Sequence, residues 1–340
     1  MNQKSLTLAV DMYGCPNRCG HCWLGHMPNK QMDSDSDVWI MNYFKPYFNQ
    51  ITYYSWLREP DFCSDYKERW KRDIQLSVNS TPQRFELASF WRIVRDPEYV
   101  KFLKDVGTKK VQLTFFGMEE LTDKYVGRKG AFQELLKATE ILIDNHITPR
   151  WQAFINDENK NSLVELLQLT ETLKLRERCI SLQDEFKFFI HAGSCDGENR
   201  KLYDIRIQRS DIPEVLKKYY LDFEKVLTER ECVERLENDT SYPSYHNDDL
   251  IVLYISNIYN VYFNFTNMSE AWKIGNLKEE SSEELVRRVL EEDTYALNLA
   301  KAISFKELAG RYGDRRSRRV FFLDDYKDYL MNCFLDDKFR

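Results

Sequence analysis

Three closely spaced cysteines follow the first predicted strand of the chain. The stretch reads Leu6-Thr7-Leu8-Ala9-Val10-Asp11-Met12-Tyr13-Gly14-Cys15-Pro16-Asn17-Arg18-Cys19-Gly20-His21-Cys22-Trp23. Its apolar first half is typical of a buried strand, and the loop after it has the spacing Cys-x3-Cys-x2-Cys at Cys15, Cys19 and Cys22. Thiolates held this close together indicate a metal site before any other kind of site.

The residues alone leave two kinds of metal site open. A zinc site needs a fourth ligand, and because the chain has no second Cys-x2-Cys pair, that ligand would be His21 or His26. Three thiolates also suit an iron–sulfur cluster that keeps one iron free to bind a small molecule. The first alternative predicts a non-catalytic zinc-binding module, and the second predicts an enzyme.

The composition narrows the class of protein around this site. A length of 340 residues allows one large α/β barrel or two modest domains. A net charge of −6 argues against a dedicated binder of nucleic acid or anionic membranes, and the longest apolar runs are far too short to span a membrane. Because we find no signal peptide, we expect a cytoplasmic, reducing location in which the eight cysteines form no disulfide framework.

Strand and helix patterns alternate downstream of the cysteines. Further strands are predicted at 51–56, 84–89, 110–116, 150–155 and 185–191, and helices at 38–48, 63–73, 97–106, 132–145 and 162–173, the last with a serine cap. Five or six such units in about 200 residues predict an α/β fold, in which helices cover a parallel sheet. Ligands of such a sheet bind beyond the carboxyl ends of its strands.

The cysteine stretch resembles the signature of the radical SAM superfamily, both in spacing and in its position after the first strand. His21 stands where members usually have an aromatic residue that packs near adenine. The resemblance implies a partial (β/α)6 TIM-like barrel in which Cys15, Cys19 and Cys22 hold one [4Fe-4S] cluster. It also implies S-adenosylmethionine (SAM) as cofactor. Reductive cleavage of SAM would give a 5′-deoxyadenosyl radical that removes hydrogen from a substrate, with a flavodoxin or ferredoxin as reductant.

The resemblance extends to residues that would bind SAM. The run Leu57-Arg58-Glu59-Pro60-Asp61 resembles the Gly-Gly-Glu-Pro motif of the family with both glycines replaced. This implies that Glu59 and Pro60 hold the SAM amino group, for which a carboxylate is the natural partner. Ser89 and Gln112, on the following strands, are further candidate cofactor contacts. Arg150 would hold the SAM carboxylate or a substrate anion, unless it forms a salt bridge at the rim.

The candidate substrate-binding residues lie on or after the last three predicted strands of the barrel. Glu119, Gln152 and His191 lie on or just after predicted strands and are candidate substrate contacts. We reject an alternative alignment that places the Gly-Gly-Glu-Pro equivalent at 117–120, because three predicted strands precede that stretch. Cys195 follows the sixth strand and is a candidate hydrogen-atom donor, with a buried spectator cysteine as the alternative.

The pattern changes after residue 208. We predict a helix at 211–223, a two-stranded hairpin at 249–256 and 260–265, and mostly helices in the last part of the chain. We therefore assign 1–208 to the core barrel and 209–340 to an α+β accessory region. The runs 259–265 and 272–277 resemble the SPASM/twitch extension of the family. Because the hairpin has no cysteine and the remaining cysteines stand singly, we expect one cluster only.

A basic patch lies near the C-terminus, formed by Arg311 and the run Arg315-Arg316-Ser317-Arg318-Arg319. It could bind a phosphate, a nucleotide or an acidic peptide. The competing interpretation is a solvated helix end balanced by Asp324, Asp325 and Asp328. Aromatic residues do not interleave with the arginines, so we expect no nucleic-acid partner, and the composition gives no reason to expect a membrane partner.

Three functions compete on this basis. The single-cluster architecture favours hydrogen abstraction from a small molecule, leading to dehydrogenation, epimerisation or rearrangement. A ribosomal-peptide maturase would use the same chemistry, although we expect no peptide-recognition domain ahead of the cysteines, since the first of them is residue 15. The non-catalytic zinc-binding module is the alternative of another class.

Overall fold

Strands and helices alternate along much of the chain. The computed structural model describes residues 4–22, 24–25, 27–195, 197–244, 249–263, 268 and 270–339. The strands are β1 (Ser5–Val10), β2 (Ile51–Tyr54), β3 (Lys110–Phe115), β4 (Thr148–Phe154), β5 (Lys187–His191), β6 (Leu227–Thr228), β7 (Leu250–Ile255), β8 (Asn260–Phe263), β9 (Gly275–Asn276) and β10 (Val320–Phe321). The helices are α1 (Ser36–Phe44), α2 (Tyr66–Leu76), α3 (Phe90–Ile93), α4 (Pro97–Asp105), α5 (Glu119–Val126), α6 (Ala131–Asp144), α7 (Lys160–Thr172), α8 (Leu175–Ile180), α9 (Glu214–Lys217), α10 (Glu229–Leu236), α11 (Ser282–Glu291), α12 (Tyr295–Ala300), α13 (Phe305–Tyr312) and α14 (Leu323–Phe339).

Two separate sheets form the framework of the fold. One has the strand order β2-β1-β7-β8-β9, in which β1 is parallel to both β2 and β7, whereas β8 and β9 join by antiparallel pairing. The other has the order β3-β4-β5 and is wholly parallel. Strands β6 and β10 form a small antiparallel pair. The sheets do not close into a cylinder among the described residues, so the predicted α/β fold with a partial barrel is confirmed.

The burial of β3 shows how the parallel strands divide the molecule into an outer and an inner side. Val111, Leu113 and Phe115 are buried, whereas the alternating Gln112 and Thr114 are only half-buried. Because successive side chains of a strand point to opposite faces, one face packs under helices and the other carries the half-buried polar residues on the inner side of the sheet. Strand β1 has the same alternation. This inner side is where polar strand residues can meet a ligand.

The predicted third strand, at 84–89, is absent from the structure and is replaced by a loop. Phe85 has a φ of +51° and is 61% exposed, a left-handed conformation that interrupts an extended segment. Arg84 turns inward to form a buried ion pair with Asp61. Ser89 then caps α3 by accepting a hydrogen bond from the Arg92 N–H. The first 208 residues therefore contribute five parallel strands to the partial barrel, one fewer than the six predicted.

Smaller differences concern where helices begin and end. The predicted helix at 97–106 is confirmed as α4. The helix ends before Gly107, and this glycine has a left-handed backbone conformation. Helix α7 begins at Lys160, with Asn159 at the N-cap position but without a side-chain cap, so the predicted cap Ser162 lies inside the helix, where its hydroxyl accepts a hydrogen bond from the Met118 N–H. The predicted helix at 211–223 is reduced to the single turn of α9, since Asp222 adopts a positive φ of 49°. The predicted hairpin is confirmed as β7 and β8, although residues 264 and 265 lie outside the described part of the chain.

The C-terminal region shares a sheet and a core with the start of the chain. Strand β7 pairs with β1 in parallel, from Ser5 opposite Leu250 to Val10 opposite Ile255. One apolar core contains side chains of β1, α1 and β2 together with those of α11 and α14. The division at residue 208 thus remains a prediction, and this sheet crosses it. No helix in the described part of the chain is both long enough and apolar enough to cross a membrane.

Candidate active site

The loop that carries the three cysteines lies between β1 and α1 and is held against α5. The Arg18 N–H donates to Val126 O (3.0 Å) and the Gly20 N–H to Tyr125 O (2.6 Å), so the loop uses carbonyls at the end of the helix. A Cβ atom at Gly127 would lie 2.4 Å from Arg18 O, and this close approach requires glycine. The loop is therefore seated by backbone contacts before any ligand is considered.

Asn29 fixes the first cysteine from the far end of the loop. Its side-chain oxygen accepts from the Cys15 N–H (3.0 Å) and its amide nitrogen donates to Cys15 O (2.9 Å). Gly14 has a φ of +98°, and a Cβ there would lie 2.1 Å from the Asn29 side-chain oxygen. The sequence did not single out Asn29, since an asparagine in a polar loop is unremarkable without its partner.

The three thiols form a donor set that suits a cationic cluster. Cys15, Cys19 and Cys22 are half-buried on one loop and form no disulfide. Burial raises the pKa of all three thiols, that of Cys19 to about 12. They would therefore ionise only beside a strong positive charge such as that of iron. This donor set fits the [4Fe-4S] cluster that the sequence motif implies.

Within the described residues no group of three His, Cys, Asp or Glu side chains, the three cysteines included, is arranged to hold a single metal ion. His21, one of the two histidines considered as a fourth zinc ligand, is instead enclosed between aromatic rings. His26, the other, lies outside the described residues.

A buried carboxyl group stands beside the first cysteine. Glu59 follows β2, and its Oε2 lies 3.9 Å from Cys15 Sγ, while its Oε1 is buried and has no hydrogen-bond partner among the residues that the structure describes. Burial raises the pKa of Glu59 to about 7, and a hydrogen bond from Ser89 opposes the rise. Pro60, next to it, is buried. A carboxyl with one unpaired oxygen at this place is suited to receive a cationic group.

Glu119, which the rejected alternative alignment would make the equivalent of Glu59, lies at a different place in the fold. Three strands, β1, β2 and β3, precede it, although the predicted strand at 84–89 does not form. Glu119 is exposed at the start of α5, where it accepts a hydrogen bond from Gln133 (3.2 Å). The structure therefore does not bring Glu119 to the cysteine loop.

His21 forms one wall of an aromatic cavity at the carboxyl ends of β3, β4 and β5. Its ring centroid lies 4.5 Å from that of Phe116 and 4.6 Å from that of Phe154. Asn156 and Arg206 add polar groups to the lining. Burial lowers the pKa of His21 to about 3, so the ring is neutral at physiological pH. The lining of this cavity thus combines aromatic and apolar side chains with a few hydrogen-bonding groups.

Four polar side chains form a hydrogen-bonded row across the inner face of β3, β4 and β5, which we call the polar rail. Arg150 donates to Gln112, Gln112 donates to Gln152, and the Gln152 side-chain nitrogen lies 2.6 Å from Nε2 of His191. The Arg150 charge is paired with Glu86 at 2.5 Å, as in the salt-bridge alternative. Burial is the main reason that the pKa of His191 falls to about 4. The rail is therefore neutral overall and offers amide and imidazole groups to the interior.

Cys195 lies away from this interior. It is 1% exposed and belongs to the apolar core that β1 shares with the C-terminal helices. Its neighbours Gly193 and Ser194 line the aromatic cavity, whereas Cys195 does not. The burial agrees with the spectator alternative for this residue.

Arg206 is a site residue that the sequence did not indicate. It is 5% exposed, and its guanidinium donates to Gly193 O (2.9 Å) and Val320 O (2.5 Å). These contacts fix the loop after β5 at the edge of the aromatic cavity. The partners of Arg206 are backbone carbonyls, which every residue has. No acidic side chain in the sequence therefore indicates that this arginine is buried at the site.

The basic patch near the C-terminus is partly neutralised within the chain. Arg315 pairs with Glu237, and Arg311 lies 3.4 Å from Asp337. These partners differ from the three aspartates expected from the sequence. The patch lies on the accessory region and contributes no residue to the cavity described above.

Known proteins resemble the chain at the level of family and fold. The family model described as the radical SAM superfamily matches residues 10–169. No curated protein matches the chain significantly. The solved structure of native anSMEcpe with bound AdoMet has a TM-score of 0.50 at 11% identity, covering 97% of this chain and 97% of that chain, which is a similarity of fold alone. Streptococcus suis SuiB bound to precursor peptide SuiA has a TM-score of 0.47 at 13% identity, covering 86% of this chain and 66% of that chain.

Proposed function

We propose that this chain is a radical SAM enzyme, which uses a [4Fe-4S] cluster and SAM to abstract hydrogen from a neutral, polar substrate held inside the partial barrel. The match of residues 10–169 to the family model of the radical SAM superfamily supports the proposal. The observation that carries the proposal is the buried Glu59 carboxyl, 3.9 Å from the first thiol of the Cys-x3-Cys-x2-Cys loop. When bound, the cofactors supply a 5′-deoxyadenosyl radical that removes hydrogen from an unactivated carbon.

In this proposal the residues around the loop bind and orient the cofactors. Cys15, Cys19 and Cys22 are the cluster ligands. Glu59 receives the SAM ammonium group on its unpaired Oε1, next to Pro60, and Ser89 supports that carboxyl through its hydroxyl. The burial of this carboxyl, which is normally costly, is compensated once a cation pairs with it.

The aromatic cavity is proposed to receive the adenine of SAM. The rings of His21 and its neighbours Phe116 and Phe154 offer stacking surfaces, and the neutral state of His21 avoids placing a charge against the base. Asn156 and Arg206 contribute the polar part of the lining. Their enclosure excludes water from the place where a reactive radical would form.

The polar rail is proposed to bind the substrate. Gln112 and Gln152 can each donate and accept hydrogen bonds, and His191 is neutral, so the rail suits hydroxyl or amide groups better than an anion. Arg150 is proposed to hold Gln112 in place by a hydrogen bond and not to bind an anion, because its charge is already paired with Glu86. A small polyhydroxylated molecule is the first candidate, with a peptide, whose backbone also carries amides, as the competitor. We also propose that a flavodoxin or a ferredoxin supplies the electron and that the enzyme is located in the cytoplasm.

The cysteine loop can be tested with Cys19→Ala. We expect anaerobic reconstitution of the unchanged chain to give a brown protein with iron and sulfide, which cleaves SAM to 5′-deoxyadenosine when dithionite is added. Cys19→Ala should lose this cleavage, because the cluster loses a ligand. Cys179→Ala, a buried cysteine on α8, is the matched control and should keep it. Cleavage by Cys19→Ala, or a chain that takes up zinc but no iron and sulfide, would refute the proposal.

The substrate class can be tested by isotope transfer in the same assay. Deuterated sugars or aminocyclitols and a deuterated peptide are offered separately, and deuterium is followed into 5′-deoxyadenosine. Transfer from the small molecules, weakened in Gln152→Leu, is the expected result. Transfer from the peptide alone would assign the enzyme to peptide modification.

A further inference from the structure

Arg58 stands directly before Glu59, at a place where the motif it resembles has a glycine. Its side chain forms a two-point contact with Asp11, from Nε to Oδ1 (3.0 Å) and from Nη2 to Oδ2 (2.8 Å). Both side chains are buried, with 7% of Arg58 and 1% of Asp11 exposed. Asp11 follows the last residue of β1, so this pair connects the ends of β1 and β2 on the cysteine side of the sheet.

The same guanidinium also holds the returning part of the cysteine loop. Arg58 Nη1 donates to Met27 O at 2.8 Å, and Nη2 lies 3.5 Å from Pro28 O. The side chain of Asn257, from the C-terminal region, donates to the same Pro28 carbonyl at 2.8 Å. One side chain thus contacts the start of the loop, its end and the segment that carries Glu59.

Gly14, directly before the first cysteine, lies close to the Arg58 guanidinium. A Cβ atom there would lie 2.9 Å from Arg58 Nη2, in addition to its clash with Asn29. Because Gly14 has no side chain, the Arg58 guanidinium has room beside the cysteine loop.

The energetics of such a pair favour a role in geometry. Taking two charges out of water costs about as much as their attraction returns, so a buried ion pair is weak evidence for stability. A two-point guanidinium–carboxylate contact, however, fixes direction as well as distance. What it fixes here is the position of Cys15 relative to Glu59.

We infer that Arg58 and Asp11 are a positioning pair, which sets the cysteine loop against Glu59 so that a cofactor ammonium on Glu59 and the cluster on the loop meet at the correct place. The inference rests on the proposed function. Neither residue touches the reacting atoms, and both act through the loop and through Glu59.

The test compares Arg58→Lys and Asp11→Asn with Arg178→Lys, which alters another two-point pair, with Glu140, on the outer helices. Each protein is reconstituted with iron and sulfide and reduced with dithionite, and SAM is titrated while the electron paramagnetic resonance spectrum of the cluster is recorded. We expect both site variants to retain iron and sulfide within about twofold but to need at least about tenfold more SAM for the spectral change, the size typical of residues that support ligands. Arg178→Lys should match the unchanged chain.

Equal SAM titrations for Arg58→Lys and Arg178→Lys would overturn the inference. If a single variant fails to fold by thermal melting, the double variant Asp11→Asn/Arg58→Gln replaces the ion pair with a neutral hydrogen-bonded one and is titrated instead. A normal SAM response in that variant also overturns the inference, and a weakened response supports it. If the unchanged chain takes up no cluster, the proposed function fails first, which is a different result.

Discussion

Asp73 is a buried carboxyl group on α2, and it lines the same pocket as Gly14 and Glu59. It accepts hydrogen bonds from the backbone N–H and the hydroxyl of Ser55, both at 3.1 Å. Burial is the main reason that its pKa rises to about 8, against the lowering effect of these hydrogen bonds. In the unfolded chain an aspartate has released its proton above about pH 4. The folded chain therefore retains a proton here that the unfolded chain has lost.

Stability should consequently fall as the pH rises from about 4 to 8, because the ionised form is penalised only in the folded chain. Asp73→Asn keeps an oxygen that can accept both Ser55 hydrogen bonds and carries no charge. We expect urea unfolding to show this variant gaining roughly 1–3 kcal/mol over the unchanged chain between pH 5 and pH 8. The exposed Asp105→Asn is the control and should leave the pH slope unchanged. Equal slopes for Asp73→Asn and the unchanged chain would contradict the prediction.

Single residues of the candidate site differed in how far the sequence could indicate them. The three cysteines were found from their spacing, since ligands of one cluster lie together on one loop. Glu59 was found from a motif, although its two glycines are missing. Asp11 and Arg58, in contrast, are 47 residues apart and match no motif as a pair. Their partnership depends on the parallel register of β1 and β2, which no local pattern contains.

At the scale of elements, the segment 84–89 shows why local patterns can fail. Its residues suit a strand, yet Arg84 is drawn into an ion pair with Asp61 and Phe85 turns outward with a positive φ. Tertiary contacts of this kind outweigh the modest preference of a residue for a strand. The long helices, such as α4 and α6, were predicted well because their apolar stripes repeat over several turns.

Helix α13 offers a test at this scale. Gly310 lies in its interior on the exposed side, and a Cβ atom there would meet nothing within 4 Å. Gly310→Ala should therefore stabilise the protein by about 0.5–1 kcal/mol, because alanine loses less backbone freedom on folding. Gly127→Ala is the contrasting variant and should be destabilised, since it has a φ of +71° and no room beside Arg18. Urea unfolding measures both, and a destabilised Gly310→Ala would disprove the expectation.

At the scale of the whole molecule, the start of the chain depends on its C-terminal region. Strand β1 has β2 on one side and β7 on the other, so the loop with the cysteines follows a central strand of the five-stranded sheet. The core around β1 includes side chains from α11 and α14. The accessory region thus supports the strand from which the candidate site begins.

A fragment of residues 1–208 should therefore fail to fold on its own, because β1 would lose its pairing with β7 and part of its apolar cover. We expect thermal melting followed by circular dichroism to show no cooperative transition for this fragment. Adding the separate fragment 209–340 should restore one. Cooperative melting of 1–208 alone, together with uptake of iron and sulfide, would show that the core folds independently.

The cysteine loop, the α/β class and most long helices can be predicted from the sequence, because ligand spacing and hydrophobic periodicity are properties of neighbouring residues. The loop at 84–89, the pairing of β7 with β1 and the contact of Arg58 with Asp11 are seen only in the folded molecule. Those features depend on strand register and on buried charges finding partners far along the chain. The free energy of such pairings comes from contacts that exist only after the chain has folded.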